Sequence, residues 1–192
     1  MSRTTAGVVS AIFFGALAGG CTYAAQLKPT DPTAVTQQLV MRSLERAVAR
    51  LDVERYRGRR AALEVFAAAG NLSLTKAFVG AWLEEHGVHD TTTGPDLTFR
   101  VLVSALGMDQ GATLIGIPAF QAPIVNVPFP EIALFKWVRN RAMTELSLYA
   151  FDAHTGAFID KDRPEAGRAK RDDFTVLLVI GFTVTDVDKR PE

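Results

Sequence analysis

Residues 107–143 hold four prolines, Pro118, Pro123, Pro128 and Pro130, inside a run rich in apolar side chains. Each proline lacks a backbone N–H and has a fixed φ, so a long helix is excluded here and sheet pairing is interrupted. The apolar content is equally restrictive. Leu114, Ile117, Phe120, Ile124, Phe129 and Trp137, with their neighbours, are too many for a free loop and must find apolar surroundings. Two placements are open. The excursion folds back over the sheet face that helices leave uncovered, or part of it forms a contiguous exposed patch, the mark of a partner or membrane contact. In the second case these six residues are the candidate interaction patch. Lys136, Arg139 and Arg141 near Trp137 then suit anionic headgroups.

The rest of the chain bounds what that segment serves. Across 192 residues the composition is 48% hydrophobic and 22% charged, which is that of a globular protein. Its 21 basic and 21 acidic residues balance, so no overall field attracts nucleic acid. Residues 1–20 are laid out as a secretory signal: Arg3, then a short apolar stretch, then Gly19 and Gly20. The stretch is shorter than the roughly 20 apolar residues of a spanning helix. Cys21 is the sole cysteine, so an intrachain disulfide is excluded and packing alone must hold the fold.

Leu17-Ala18-Gly19-Gly20-Cys21 resembles the lipobox of bacterial lipoproteins, with Leu17 one step further from the cysteine than that family places it. The resemblance implies a diacylglyceryl group on the Cys21 sulfur and cleavage just before it. Thr22 in place of aspartate implies release to the outer membrane. The other reading is an ordinary signal peptide cut nearby, leaving one free thiol.

Residues 21–30 then form a tether, and 31–192 a single domain. Asp31-Pro32 opens a helix over about 33–51, with Val35, Leu39, Leu44, Val48 and Leu51 on one face. The basic cluster of Arg55, Arg57, Arg59 and Arg60 reads as a solvated turn. Residues 61–67 predict a strand buried on both faces, and Ser73 caps a second helix with a stripe of Leu74, Ala77, Phe78, Ala81 and Trp82. Period-two alternation predicts strands over 96–106, 144–151 and 174–187. The first hairpin turn is Asp152 to Gly156, and a charged loop covers 160–173. Together these give an α+β fold: a mixed, mostly antiparallel sheet with two helices on one face.

With "LIGIP" (114–118), "PEIALFK" (130–136) and "LYAFDAHTGAFI" (148–159), the chain resembles an uncharacterised family of bacterial lipoproteins. The pairing of "GATLIGIP" with a later strand ending in Asp152, Thr155 and Gly156 is more distantly similar to the curli-secretion-channel lipoproteins. It is also similar to the amino-terminal domain of the Tol periplasmic translocation protein. These resemblances imply a non-enzymatic envelope lipoprotein that assembles with other chains, and supply no catalytic residues.

No reaction centre is legible. His86, His89 and Asp90 suggest a metal, but Gly87 ends the helix between the two imidazoles and no further ligand is in reach. Nucleophile elbows, phosphate loops and dinucleotide fingerprints are absent. The expectation is a protein without cofactor or metal, held to the membrane by Cys21 in the cell envelope, at the outer membrane facing the periplasm. There it acts as an interaction or assembly module with an envelope protein or with its own copies. The alternative is a periplasmic domain that binds a small apolar or peptide ligand.

Overall fold

A computed structural model of the chain describes residues 22–27, 33–68, 70–121 and 128–188. In chain order the elements are β1 (Thr22–Leu27), α1 (Ala34–Val48), a 3-10 turn (Glu54–Tyr56), β2 (Arg60–Ala67), α2 (Leu72–Glu85), β3 (His89–Asp90) and β4 (Leu97–Ile117). There follow β5 (Phe120–Gln121), β6 (Pro128–Phe129), β7 (Ile132–Asp152), β8 (Phe158–Lys161), β9 (Glu165–Val176) and β10 (Ile180–Thr185). Pairing runs β10-β9-β7-β4-β2-β3, with β1 added to β4 and β8 to β7. β2 is parallel to β3 and β4, while β1 on β4 and β8 on β7 are antiparallel. The fold class is the expected one: α+β, with a mixed, mostly antiparallel sheet.

The chain divides into two compact units. One, here the helical unit, comprises Pro29–Asp109, Asn140–Arg171 and Thr185–Glu192; the strand unit comprises Met1–Lys28, Gln110–Arg139 and Asp172–Val184. The domain expected over 31–192 contributes residues to both units. The division between the units falls within β4, β7 and β9, where no linker or composition break marks it.

In the helical unit, β2 leads through α2 to β4, the crossover that a parallel pair requires. Both helices pack on one face. Leu44, Ala47 and Val48 of α1 and Val79 and Leu83 of α2 join Leu63, Phe99, Val101, Leu146 and Leu148 in one core. Thr33 caps α1, its hydroxyl accepting from the Thr36 N–H at 3.2 Å, and Asn71 caps α2 by accepting from Leu74 N–H at 3.0 Å. Both caps differ from those expected at Asp31 and Ser73. Asx and hydroxyl residues crowd both starts, and in each the one whose side chain meets an orphan N–H takes the role.

The α2 stripe is also displaced: Thr75, Val79, Gly80 and Leu83 are buried, Leu74 is exposed, and Phe78 and Trp82 lie at the core's margin. β2 is buried on one face only, with Glu64 and Phe66 exposed. Residues 160–173, expected as a charged loop, include most of β9. The signal was hidden because α1 lies so close to this strand that small residues replace large apolar ones. A Cβ at Gly167 would sit 1.9 Å from the Ser43 carbonyl oxygen and 2.4 Å from the Ala47 nitrogen. Arg46 fixes the contact, donating from Nη1 to the Arg168 carbonyl and from Nη2 to the Asp186 carbonyl, both at 2.6 Å. A buried polar pair, Ser43 Oγ to Thr144 Oγ1 at 2.7 Å, ties α1 to β7.

Candidate interaction surface

The proline-rich excursion does not fold back as a cover among its described residues. It continues two strands: β4 runs to Ile117 and β7 starts at Ile132, each 21 residues long. Pro118 and Pro130 lie just outside those ends and Pro128 is confined to the two-residue β6, so they terminate the ladder instead of interrupting it. The strand expected over 174–187 is likewise two, β9 and β10, joined by Leu177 to Val179. Leu177 and Leu178 adopt φ of 49° and 71°, a region that disfavours leucine, so nothing in the sequence announces the turn.

Within the strand unit these pieces line up as β1, β4, β7, β9 and β10. A Cβ at Gly116 would lie 2.1 Å from the Ile132 carbonyl, so β4 and β7 touch closely there and only glycine fits. Leu177 N–H donates to Leu134 carbonyl at 2.8 Å, and Leu178 N–H to Ala133 carbonyl at 3.1 Å, closing the turn onto β7.

The unit's two faces differ. On one, Trp137 of β7 stacks on Phe174 of β9 at 5.8 Å, and Phe174 stacks on Phe182 of β10 at 4.9 Å. Phe135 lies 6.3 Å from Phe174, and the period of two places Ile180 and Val184 beside Phe182. On the other face Thr183 donates to Asp173 at 2.6 Å, and Lys136 pairs with Glu131 at 2.7 Å. Trp137 has a polar partner as well: its Nε1 donates to Asp172 Oδ1 at 2.9 Å, and Arg139 lies 4.8 Å above its ring.

At the turn end both faces are apolar. Ile115, Ile117, Ile132 and Leu134 are exposed there, with Leu177, Leu178, Ile180 and above all Val179, at 83%. Phe120 and Phe129 stack across the β5–β6 pair at 4.9 Å and are half exposed.

Of the six candidate patch residues, Ile117, Phe120 and Phe129 are exposed, Leu114 is buried at 3%, Trp137 is partly buried, and Ile124 lies outside the described residues. Cys21 also lies outside them. Thr22, the next residue in the chain, pairs with Ile115 at the turn end. What sequence reasoning missed is the largest part of the surface, residues 177–184. The available signal was a run without charge from Phe174 to Thr185, which the expected strand with one covered face absorbed.

His86 Nδ1 bonds the Trp82 carbonyl at 2.8 Å while His89 Nδ1 faces Glu84 at 3.2 Å, so the two imidazoles serve separate contacts. No group of three metal-ligating side chains converges among the described residues. Arg55 bridges Asp160, at 2.9 Å, and Asp162. Burial pushes the Asp162 carboxyl above its ordinary value against the pull of that guanidinium. In the helical unit a cleft of about 270 Å³ opens between α1, the start of α2 and β4, lined by Val40, Met41, Leu44, Leu74, Leu106 and Met108. No family model, curated protein or solved structure matches the chain.

Proposed function

We propose that this protein is a lipid-anchored lipoprotein of the bacterial cell envelope, a non-enzymatic assembly module whose strand unit enters the apolar part of a membrane. The observation that carries the reading is the turn end of that unit, where large apolar side chains are exposed on both faces. Water is a poor solvent for such a surface. Each half-exposed aliphatic or aromatic side chain gains about 1 kcal/mol on full burial, so residues 177–184 alone offer several. The charge that does lie near that end, Lys136, is paired with Glu131 at 2.7 Å.

Strand length limits the depth. At about 3.3 Å per residue, the six residues of β10 reach about 20 Å, short of the 9–11-residue strands that cross a bilayer. The described part of the unit thus enters one leaflet. The lipid would act at the same end, because the strand that begins directly after Cys21 starts opposite Ile115. Two acyl chains bind stably where one does so reversibly, and the apolar turn adds to them.

Flotation of the full chain with vesicles of phosphatidylethanolamine and phosphatidylglycerol tests this. The Cys21→Ser protein is expected to float less than the lipidated parent but still to float, and Val179→Asp added to it should abolish flotation without changing the thermal midpoint. Equal flotation with and without Val179→Asp would end the membrane reading. A second reading rests on the cleft of the helical unit, whose apolar lining suits a small apolar ligand. Saturable binding of a hydrophobic dye that Leu74→Arg removes would favour it.

A further inference from the structure

The five strands of the strand unit have two outer edges, and the pairing supplies an occupant for one of them. β10 is bonded on one side, to β9, and its other side is open among the described residues. Natural edge strands carry charge, proline or a bulge that discourages pairing. β10 has neither charge nor proline, as the whole run from Phe174 to Thr185 lacks both, and Ile180, Phe182 and Val184 are half exposed.

At the opposite edge, β4 is covered only by β1, six residues long and antiparallel to it. Strand directions connect the edges. β4 and β7 are antiparallel, since Ser104 bonds Glu145 while Gly116 meets Ile132. β7 and β9 are antiparallel through Leu134 with Leu177 and Asn140 with Arg171. β9 and β10 are antiparallel through Asp173 with Thr183 and Lys170 with Thr185. β10 therefore runs against β4, in the same direction as β1, and both have six residues.

We infer that β10 of one copy of this chain displaces β1 and pairs antiparallel with β4 of a second copy. β1 is then a removable guard that keeps the β4 edge closed in the single chain, and the occupant of the exposed β10 edge is another copy of the same protein. The exchange replaces one six-residue ladder by another and moves the unpaired edge from the apolar β10 to the displaced β1. The contact is head-to-tail, so it repeats from copy to copy and closes into a ring where the rotation allows. This specifies the partner in the assembly role proposed above and rests on it.

The test locks the guard. Ala24 and Thr113 are opposite each other in the β1–β4 register, within the separation a disulfide bridges. The full chain carrying Cys21→Ser, Ala24→Cys and Thr113→Cys is followed by sedimentation in detergent micelles, oxidised and reduced. Oligomers on reduction and single chains on oxidation are expected. Oligomers in both states, or in neither, overturn the exchange. A second measurement needs no lock: proteins carrying Cys21→Ser with either Thr183→Cys or Thr113→Cys are mixed and oxidised. A mixed disulfide between the two is expected, and Thr183 homodimers alone would mean that β10 edges pair with each other and would overturn the proposal. Vesicle flotation of the same variants separates the two claims. Flotation without exchange refutes the exchange and leaves the membrane reading standing, whereas loss of flotation removes the reading on which it rests.

Discussion

The helical unit and the strand unit are built from the same three strands, β4, β7 and β9, yet treat apolar side chains in opposite ways. In the helical unit the inward positions, Phe99, Val101, Leu146 and Leu148, are at most 2% exposed because two amphipathic helices cover them. The strand unit has twelve of the eighteen large apolar residues that stand exposed among the described residues. The lesson is that the hydrophobic pattern of a strand fixes which faces are apolar, while the helices decide whether those faces become core. Where they stop, the same pattern leaves large apolar side chains exposed.

Breaking each unit in turn sharpens that contrast. Phe99→Ala should cost about 3–5 kcal/mol by removing a fully buried ring from the helical core. Phe182→Ala should cost about 1 kcal/mol, its ring being half exposed already. Denaturant midpoints of the two variants measure the difference, and equal losses would mean that the strand unit has a core of its own. Gly167→Ala should cost about 3 kcal/mol, since its methyl group must displace the α1 backbone. Ser43→Ala should cost about 1–2 kcal/mol by depriving the buried Thr144 hydroxyl of its partner. At the turn, Leu178→Gly should stabilise the fold by about 1 kcal/mol through relief of the positive φ, and yet weaken flotation with vesicles.

The smallest effect is electrostatic. Asp162 has a folded-state pKa raised by burial, so its contribution is fully present below the ordinary carboxylate value and is lost as pH rises through the raised one. Asp162→Asn should therefore flatten the fall in stability over that interval, as thermal midpoints taken at successive pH values would record.

Much of this architecture was legible, and the failures have identifiable causes. Period-two alternation in Leu97 to Val103 and in Thr144 to Ala150 marked the central strands correctly, because one face lies under helices and the other in water. The same rule lost the strands where both faces are apolar, since a continuous apolar run has no period to read. β9 was masked by the opposite problem: Gly167 and Ala169 give almost no hydrophobic signal where a helix backbone sits directly above them. The turn at 177–179 was invisible because leucine, not glycine or asparagine, occupies its left-handed positions. Of the candidate surface, Ile117, Phe120 and Phe129 were found from composition alone, whereas the β9–β10 contribution needed the strand pairing.

The uncharged segment from Phe174 to Thr185 also bears on the chain before it has folded. Twelve residues of high β propensity, without proline or charge, form the kind of window that seeds cross-β aggregation when it is left in water. Overproduction of the chain should therefore yield insoluble aggregates, and a charge placed in the window, as in Val179→Asp, should raise the soluble fraction.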